Sequence, residues 1–255
     1  MDSLQPNVGQ ALDFLQSLKD QGKGYSTINS ARAALSSVII LRSGDSFGNL
    51  PLVKKFMRGI YNLAPPQPRY KAIWDPGEVL NFLVKWSPAR RIKLLQLSMK
   101  VAVLILLVSG QRIQTLRALR VDRMDIGSGS IKFTIKAEDV KQGRPGYSPE
   151  PIVLKSFPAD KRLCVVNYVK VYLERTLDNR GKCQRLLLTA AKPFREASKD
   201  TMARWVKTVL HKAGIDIGKF GPGSIRAAST SKAKEQGATI DDILRAGGWS
   251  RRSTF

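Results

Sequence analysis

Histidine is nearly absent from this 255-residue chain; His211 is the only one. That excludes a metal site built from several histidines and leaves little room for a triad that depends on imidazole. Cysteine is scarce as well. Cys164 and Cys183 are the two present, too few for a disulfide framework or a cysteine-based zinc site. Long apolar runs are missing: the longest, Val101–Val108, is far too short to cross a bilayer. The first ten residues are polar, so no secretory leader is read there. With so few cysteines, the expected setting is a reduced intracellular compartment, cytosol or nucleus. There is no P-loop, no GxSxG elbow, no HExxH pair and no dinucleotide-binding glycine fingerprint.

Acidic residues are also few. The chain has 43 Lys plus Arg against 20 Asp plus Glu, a formal net charge of +23. The excess is uneven. Residues 1–66 carry seven basic and four acidic residues, net +3; residues 67–255 carry the remaining 36 and 16, net +20. A field of that size implies a polyanion partner, with nucleic acid the first expectation, against the plainer alternative of a solvated basic surface. At 43% hydrophobic and 25% charged, the chain has enough apolar residues to bury a core.

Apolar spacing predicts three helices in the first 66 residues: Val8 to Leu18, Ile28 to Leu41 with Ser26 or Thr27 as cap, and Leu52 to Leu63, stopped by Pro65 and Pro66. Ala64 to Lys71 is proline-rich and polar, a linker composition. Asp75-Pro76 starts a helix to about Trp86, and Ser87-Pro88 repeats the signal for a longer one, Ala89 to Val108, apolar nearly all round in its second half. A short helix follows over Arg112 to Leu119. Ile131, Phe133 and Ile135 alternate with polar residues as a strand, and Ile152 to Leu154 returns after the turn-rich Gly143 to Pro151. Four helices complete the chain: Leu163 to Thr176, Thr201 to Lys212, Ile225 to Glu235 and Ile240 to Ala246. Arg180 reads as a surface residue in a loop. The expected fold is mainly α with a small antiparallel sheet, in two domains.

Three stretches stand out. Val108-Ser-Gly-Gln-Arg-Ile-Gln-Thr-Leu-Arg-Ala-Leu119 puts an arginine where a buried helix ends in Ser-Gly. Lys141-Gln-Gly-Arg-Pro-Gly146 is a basic hairpin turn. Gly221-Pro-Gly-Ser-Ile-Arg-Ala-Ala-Ser-Thr-Ser231 is followed by Ile243-Leu-Arg-Ala-Gly-Gly-Trp-Ser250. In this order they resemble the catalytic domain of tyrosine recombinases, the phage-integrase family, with a Cre-like last block. Gly24-Tyr-Ser-Thr-Ile-Asn-Ser-Ala-Arg-Ala-Ala-Leu35 and Ser224-Ile-Arg-Ala-Ala-Ser-Thr-Ser231 are similar to recombinases of DIRS-like retrotransposons.

The resemblance implies a helical core-binding domain over 1–66, a linker over 67–71 and a mixed α/β catalytic domain over 72–255, closing around double-stranded DNA as a clamp. It implies strand exchange through a 3′-phosphotyrosyl intermediate, with no metal or cofactor. Arg112 and Arg226 would hold the non-bridging oxygens of the phosphorane, as guanidinium forks suit an oxyanion pair. Lys141, with Lys136 as runner-up, would protonate the leaving 5′-oxygen. Trp249 would meet the phosphate through its ring N–H. Assembly as a homodimer or tetramer on DNA stays open.

The chain departs from the family pattern in three places. Gly223 stands where the family usually has a histidine, and Thr115 where it often has an acid. The family nucleophile lies about nine or ten residues past the Trp249 position, whereas Tyr25, Tyr61, Tyr70, Tyr147, Tyr168 and Tyr172 all precede it. The expectation is a recombinase-type DNA-binding chain deficient in cleavage. A domesticated, non-catalytic DNA-binding module and a basic RNA-binding protein are the alternatives; the latter has few aromatic stacking residues to support it.

Overall fold

The computed structural model describes residues 7–39, 44–67, 70, 72–139 and 149–249. The chain divides into two compact units, Met1–Lys71 and Ala72–Phe255.

In the first unit, Asn7 and Gln10 close a reciprocal capping box on helix α1, Val8–Asp20. Helix α2, Tyr25–Val38, starts earlier than its side chains suggest. The carbonyl of Gly24 already accepts from the Thr27 and Ile28 amides, so Ser26 and Thr27 lie inside the first turn and neither caps. It also stops short of Leu41, because Ile39 turns extended. Helix α3, Pro51–Leu63, opens on a proline whose missing N–H would have had no partner there. Leu15, Ile28, Phe47 and Val53 are fully buried between these elements. Arg32 ties α2 to the turn before α3: it donates to Asn29 Oδ1 at 3.0 Å and to the Gly48 carbonyl at 3.4 Å.

The second unit is built on one buried helix. Helix α4, Pro76–Val84, is capped by the Asp75 carboxylate on the Gly77 amide at 3.0 Å. Helix α5, Leu94–Ser109, is buried from Leu97 to Leu106. It starts later than expected. Ser87 does not cap it; its hydroxyl instead pairs with the Tyr168 hydroxyl at 2.9 Å, and Gln96 accepts the Lys93 amide at the true start. Helix α6, Ile113–Ala118, leads to strand β1, Met124–Ile126, which pairs antiparallel with β2, Ser130–Phe133. The third strand, β3, Ile152–Lys155, pairs with β2 with Ile131 opposite Leu154 and Phe133 opposite Ile152, all four buried. Helices α7, Val165–Arg180, α8, Lys199–Lys212, α9, Ser224–Glu235, and α10, Ile240–Gly247, complete the unit. Among the described residues no helix is long and apolar enough to cross a membrane.

Lys100 and Arg180 both turn their charged ends inward, the first fully buried and the second half-buried. Lys100 is fully buried on α5 and donates to the Leu83 carbonyl at 2.6 Å and the Trp86 carbonyl at 2.9 Å. Its ammonium also sits 4.0 Å from the centre of the Tyr168 ring. Arg180 is not a loop residue on the surface. It ends α7, and its guanidinium reaches back to the carbonyls of Arg185 and Leu186 and to Thr176 Oγ1. Those carbonyls need donors, so the side chain folds inward, and burial lowers its pKa.

Candidate phosphate-binding site

The site forms where α5 stops. Ser109 Oγ folds back to the Ile105 carbonyl at 2.7 Å, and Gly110 turns the chain left-handed at φ 59°. A side chain at 110 would be strained by that angle, and its Cβ would stand 3.1 Å from Thr230 Cγ2 on α9. The turn sets Arg112, half-buried, as the residue before α6.

Arg226 arrives from the first turn of α9. That turn is fixed from behind by the indole N–H of Trp74, which donates to the buried Ser224 hydroxyl at 2.9 Å. Arg226 Nη1 donates to the Gly110 carbonyl at 2.9 Å, linking the two arginine-bearing segments. Its Nη2 is buried with no hydrogen-bond partner among the described residues. Burial, and then the like charge of Arg112, push the Arg226 guanidinium down to about 9. Two cations close together, one with an unspent donor, make a site whose electrostatic debt an anion would relieve.

Trp249 comes from the end of α10. Gly248 turns left-handed at φ 65°, its amide reaching the Arg245 carbonyl and the Trp249 amide reaching the Leu244 carbonyl at 2.9 Å. The indole then packs over Gly247, where a Cβ would overlap ring atoms Cε3 and Cζ3. The Arg226 guanidinium carbon lies 3.5 Å from the ring centre, a cation–π contact.

Of the four residues singled out from the sequence, Arg112, Arg226 and Trp249 are thus brought together around the Gly110 turn. Lys141 lies outside the described residues. Lys136 is exposed just beyond β2 and pairs with Glu138 at 3.6 Å. Gly223 is the residue before α9, at an ordinary φ of −72°, with open space where a side chain would go. Thr115 is buried on α6. Sequence reasoning missed Gln111, whose carboxamide nitrogen donates to the Ala246 carbonyl at 2.6 Å. Its one signal was its place between Gly110 and Arg112.

The fold is that of the tyrosine recombinases and integrases. XerH site-specific recombinase, solved bound to palindromic difH substrate, matches at a TM-score of 0.63 and 14% identity, over 98% of this chain and 67% of that one. The Tn1549 transposon integrase, in complex with transposon right end DNA, matches at 0.61 and 16%, over 100% and 80%. A lambda integrase dimer bound to a COC′ core site matches at 0.53 and 15%, over 98% and 81%. No protein-family model and no curated protein matches the chain.

Proposed function

We propose that this chain is a recombinase- or integrase-type protein that binds duplex DNA and seats one backbone phosphate between Arg112 and Arg226. The observation that carries the reading is the buried, unpaired Nη2 of Arg226 beside a second arginine. A guanidinium presents its donors as a planar fork and stays charged, which suits two non-bridging phosphate oxygens. The net charge of +20 over residues 67–255, and the DNA in the complexes of the structural relatives, support the same partner.

The chemistry of this reading is transition-state electrostatics. The two guanidinium groups offset the charge that builds on a phosphorane, the role Mg²⁺ has in metal-dependent phosphoryl transfer. Where a nucleophilic tyrosine is supplied, its oxygen would bond to phosphorus as the P–O5′ bond breaks, and Lys141 would protonate the departing 5′-oxygen; the chain derives from a mobile element of the DIRS type. The 255 residues alone make no covalent bond to DNA. Tyr168 and Tyr172 are buried, the first tied by its hydroxyl to Ser87 and Trp86, the second to Leu188. Tyr25 and Tyr61 pack edge to face in the other unit.

The test is fluorescence anisotropy with a labelled duplex. Affinity falls steeply between about 50 and 200 mM salt as counterions are released. Arg112→Ala and Arg226→Ala each weaken binding by about tenfold or more, the worth of a charge-assisted hydrogen bond. A salt-independent affinity, or single-stranded RNA that outcompetes the duplex, overturns the reading. A nicked suicide substrate yields no denaturation-resistant adduct with these 255 residues; an adduct mapped to any of their tyrosines removes the cleavage-deficient part.

A further inference from the structure

Building on that reading, we infer that Gln111 is a positioning residue that holds the end of α10, and with it the Trp249 platform, against Arg226. The inference starts from an accounting of helix-end carbonyls. The left-handed turn at Gly248 satisfies the carbonyls of Leu244 and Arg245 through the amides of Gly248 and Trp249. The Ala246 carbonyl gets its donor from outside the helix, the Gln111 carboxamide at 2.6 Å. A carbonyl can face only the NH₂ end of an amide, so the orientation of the Gln111 side chain is set. The same carboxamide lies under Gly248, where a Cβ would meet its Nε2 at 3.6 Å and its Oε1 at 3.8 Å. Gln111 therefore touches the two residues that bracket Gly247, the glycine on which the indole rests.

This bond matters because α10 packs through few residues, Ile243, Leu244 and Gly247 being its buried ones. A crevice of about 180 Å³ runs between α10, α9 and the end of α5, lined by Val108, Ser229, Thr230, Ala233, Ile243 and Ala246. Beside that crevice, Gln111 fixes the last turn of α10 to the segment that carries Arg112. Three consecutive residues then organise the site from one turn. Gly110 accepts from Arg226, Gln111 donates to α10, and Arg112 supplies the second cation. In this scheme Gln111 acts on the phosphate only through Trp249 and Arg226.

The test uses the full chain with 5-fluorotryptophan and ¹⁹F NMR. The chain has four tryptophans, 74, 86, 205 and 249, and Trp249→Phe identifies the last. Gln111→Glu keeps the length but cannot donate while ionised. At pH 7.5 the Trp249 resonance shifts or broadens, and the other three stay in place. Acidifying below about pH 4, further than a free glutamate needs because Arg112 and Arg226 favour its ionised form, protonates the new carboxyl, returns a donor and restores the resonance, which a purely steric role would not do. Gln111→Met, neutral and of similar length, shifts the resonance at every pH and weakens duplex binding by about two- to tenfold, what one hydrogen bond is worth. It carries the comparison alone if Gln111→Glu does not fold. A Trp249 resonance unmoved in Gln111→Met overturns the inference. Because the resonance is read without DNA, a chain that fails to bind duplex while Gln111→Met moves Trp249 refutes the DNA reading and keeps the positioning role.

Discussion

The Arg226 guanidinium carbon stands 3.5 Å from the centre of the Trp249 ring while its Nη1 donates to the Gly110 carbonyl at 2.9 Å. Ring face and carbonyl both present negative charge to the cation, which is how a half-buried arginine is kept beside another one. Neither uses Nη2, so the arrangement leaves that nitrogen's N–H groups for an incoming anion.

Sulfate therefore stabilises the free protein. It binds the folded site and not the unfolded chain, and at concentrations well above its dissociation constant the gain is about 1–3 kcal/mol. A thermal scan in sulfate gives a midpoint a few degrees above that in chloride of equal ionic strength. General salting effects also favour the fold in sulfate, so the control is Arg226→Gln, in which most of the difference disappears. An equal gain in Arg226→Gln removes the anion site.

Gly247→Ala tests the seat of the indole. The added methyl occupies the place of the Trp249 ring edge, and the half-exposed ring has to swing away from Arg226. Stability changes by less than about 1 kcal/mol, since the ring swings into solvent rather than leaving a core cavity. Duplex affinity falls by about tenfold as Arg226 loses its support. Anisotropy and urea unfolding read the two effects separately; unchanged affinity with the ring displaced would show that Trp249 is only packing.

Much of this site was legible in the sequence because its signals are local. Ser-Gly after an apolar helix marks the Gly110 turn, and Gly-Gly before Trp249 marks the end of α10. What was missed depends on partners outside the residue's own element. Gln111 gains its meaning from Ala246, and Arg180 from carbonyls beyond its own helix. Strand β1 has only three residues; Met124 and Ile126 share one face with Asp125 on the other, a single period that is too short for alternation to register. Ser87-Pro88 copied the start signal of Asp75-Pro76, but the Ser87 hydroxyl had a better partner in Tyr168.

The Trp74–Ser224 bond fixes the start of α9 and can be dissected by a double-mutant cycle. Ser224→Ala leaves a buried indole N–H unpaired and costs about 1–3 kcal/mol. Trp74→Phe leaves a hydroxyl unpaired and loses ring area. The double variant costs less than the two singles together, because no donor or acceptor is then stranded. Strict additivity in urea unfolding would mean the bond contributes nothing.

Lys100 gives a pH-dependent prediction. Its side chain is wholly buried, and burial lowers its pKa from 10.5 to about 7; the nearby Asp160 raises it and Arg162 lowers it. Between those values the unfolded chain binds a proton that the folded chain lacks. Stability from this group therefore rises with pH across the window, by at most about 1.4 kcal/mol per unit, and is lost as pH falls toward 7. Lys100→Met removes the titration. At high pH the variant also loses the donor to Leu83 and Trp86. Both carbonyls keep a second donor, the Trp86 amide and the Tyr168 hydroxyl, so that loss is about 1–3 kcal/mol. Below pH 7 the native side chain carries a desolvated charge, and a methionine of similar shape costs little or is even stabilising. Urea unfolding at pH 6, 8 and 9.5 should show the stability advantage of lysine over methionine growing with pH. A constant difference across the three would mean that Lys100 stays charged throughout, held by its two carbonyls and the Tyr168 ring.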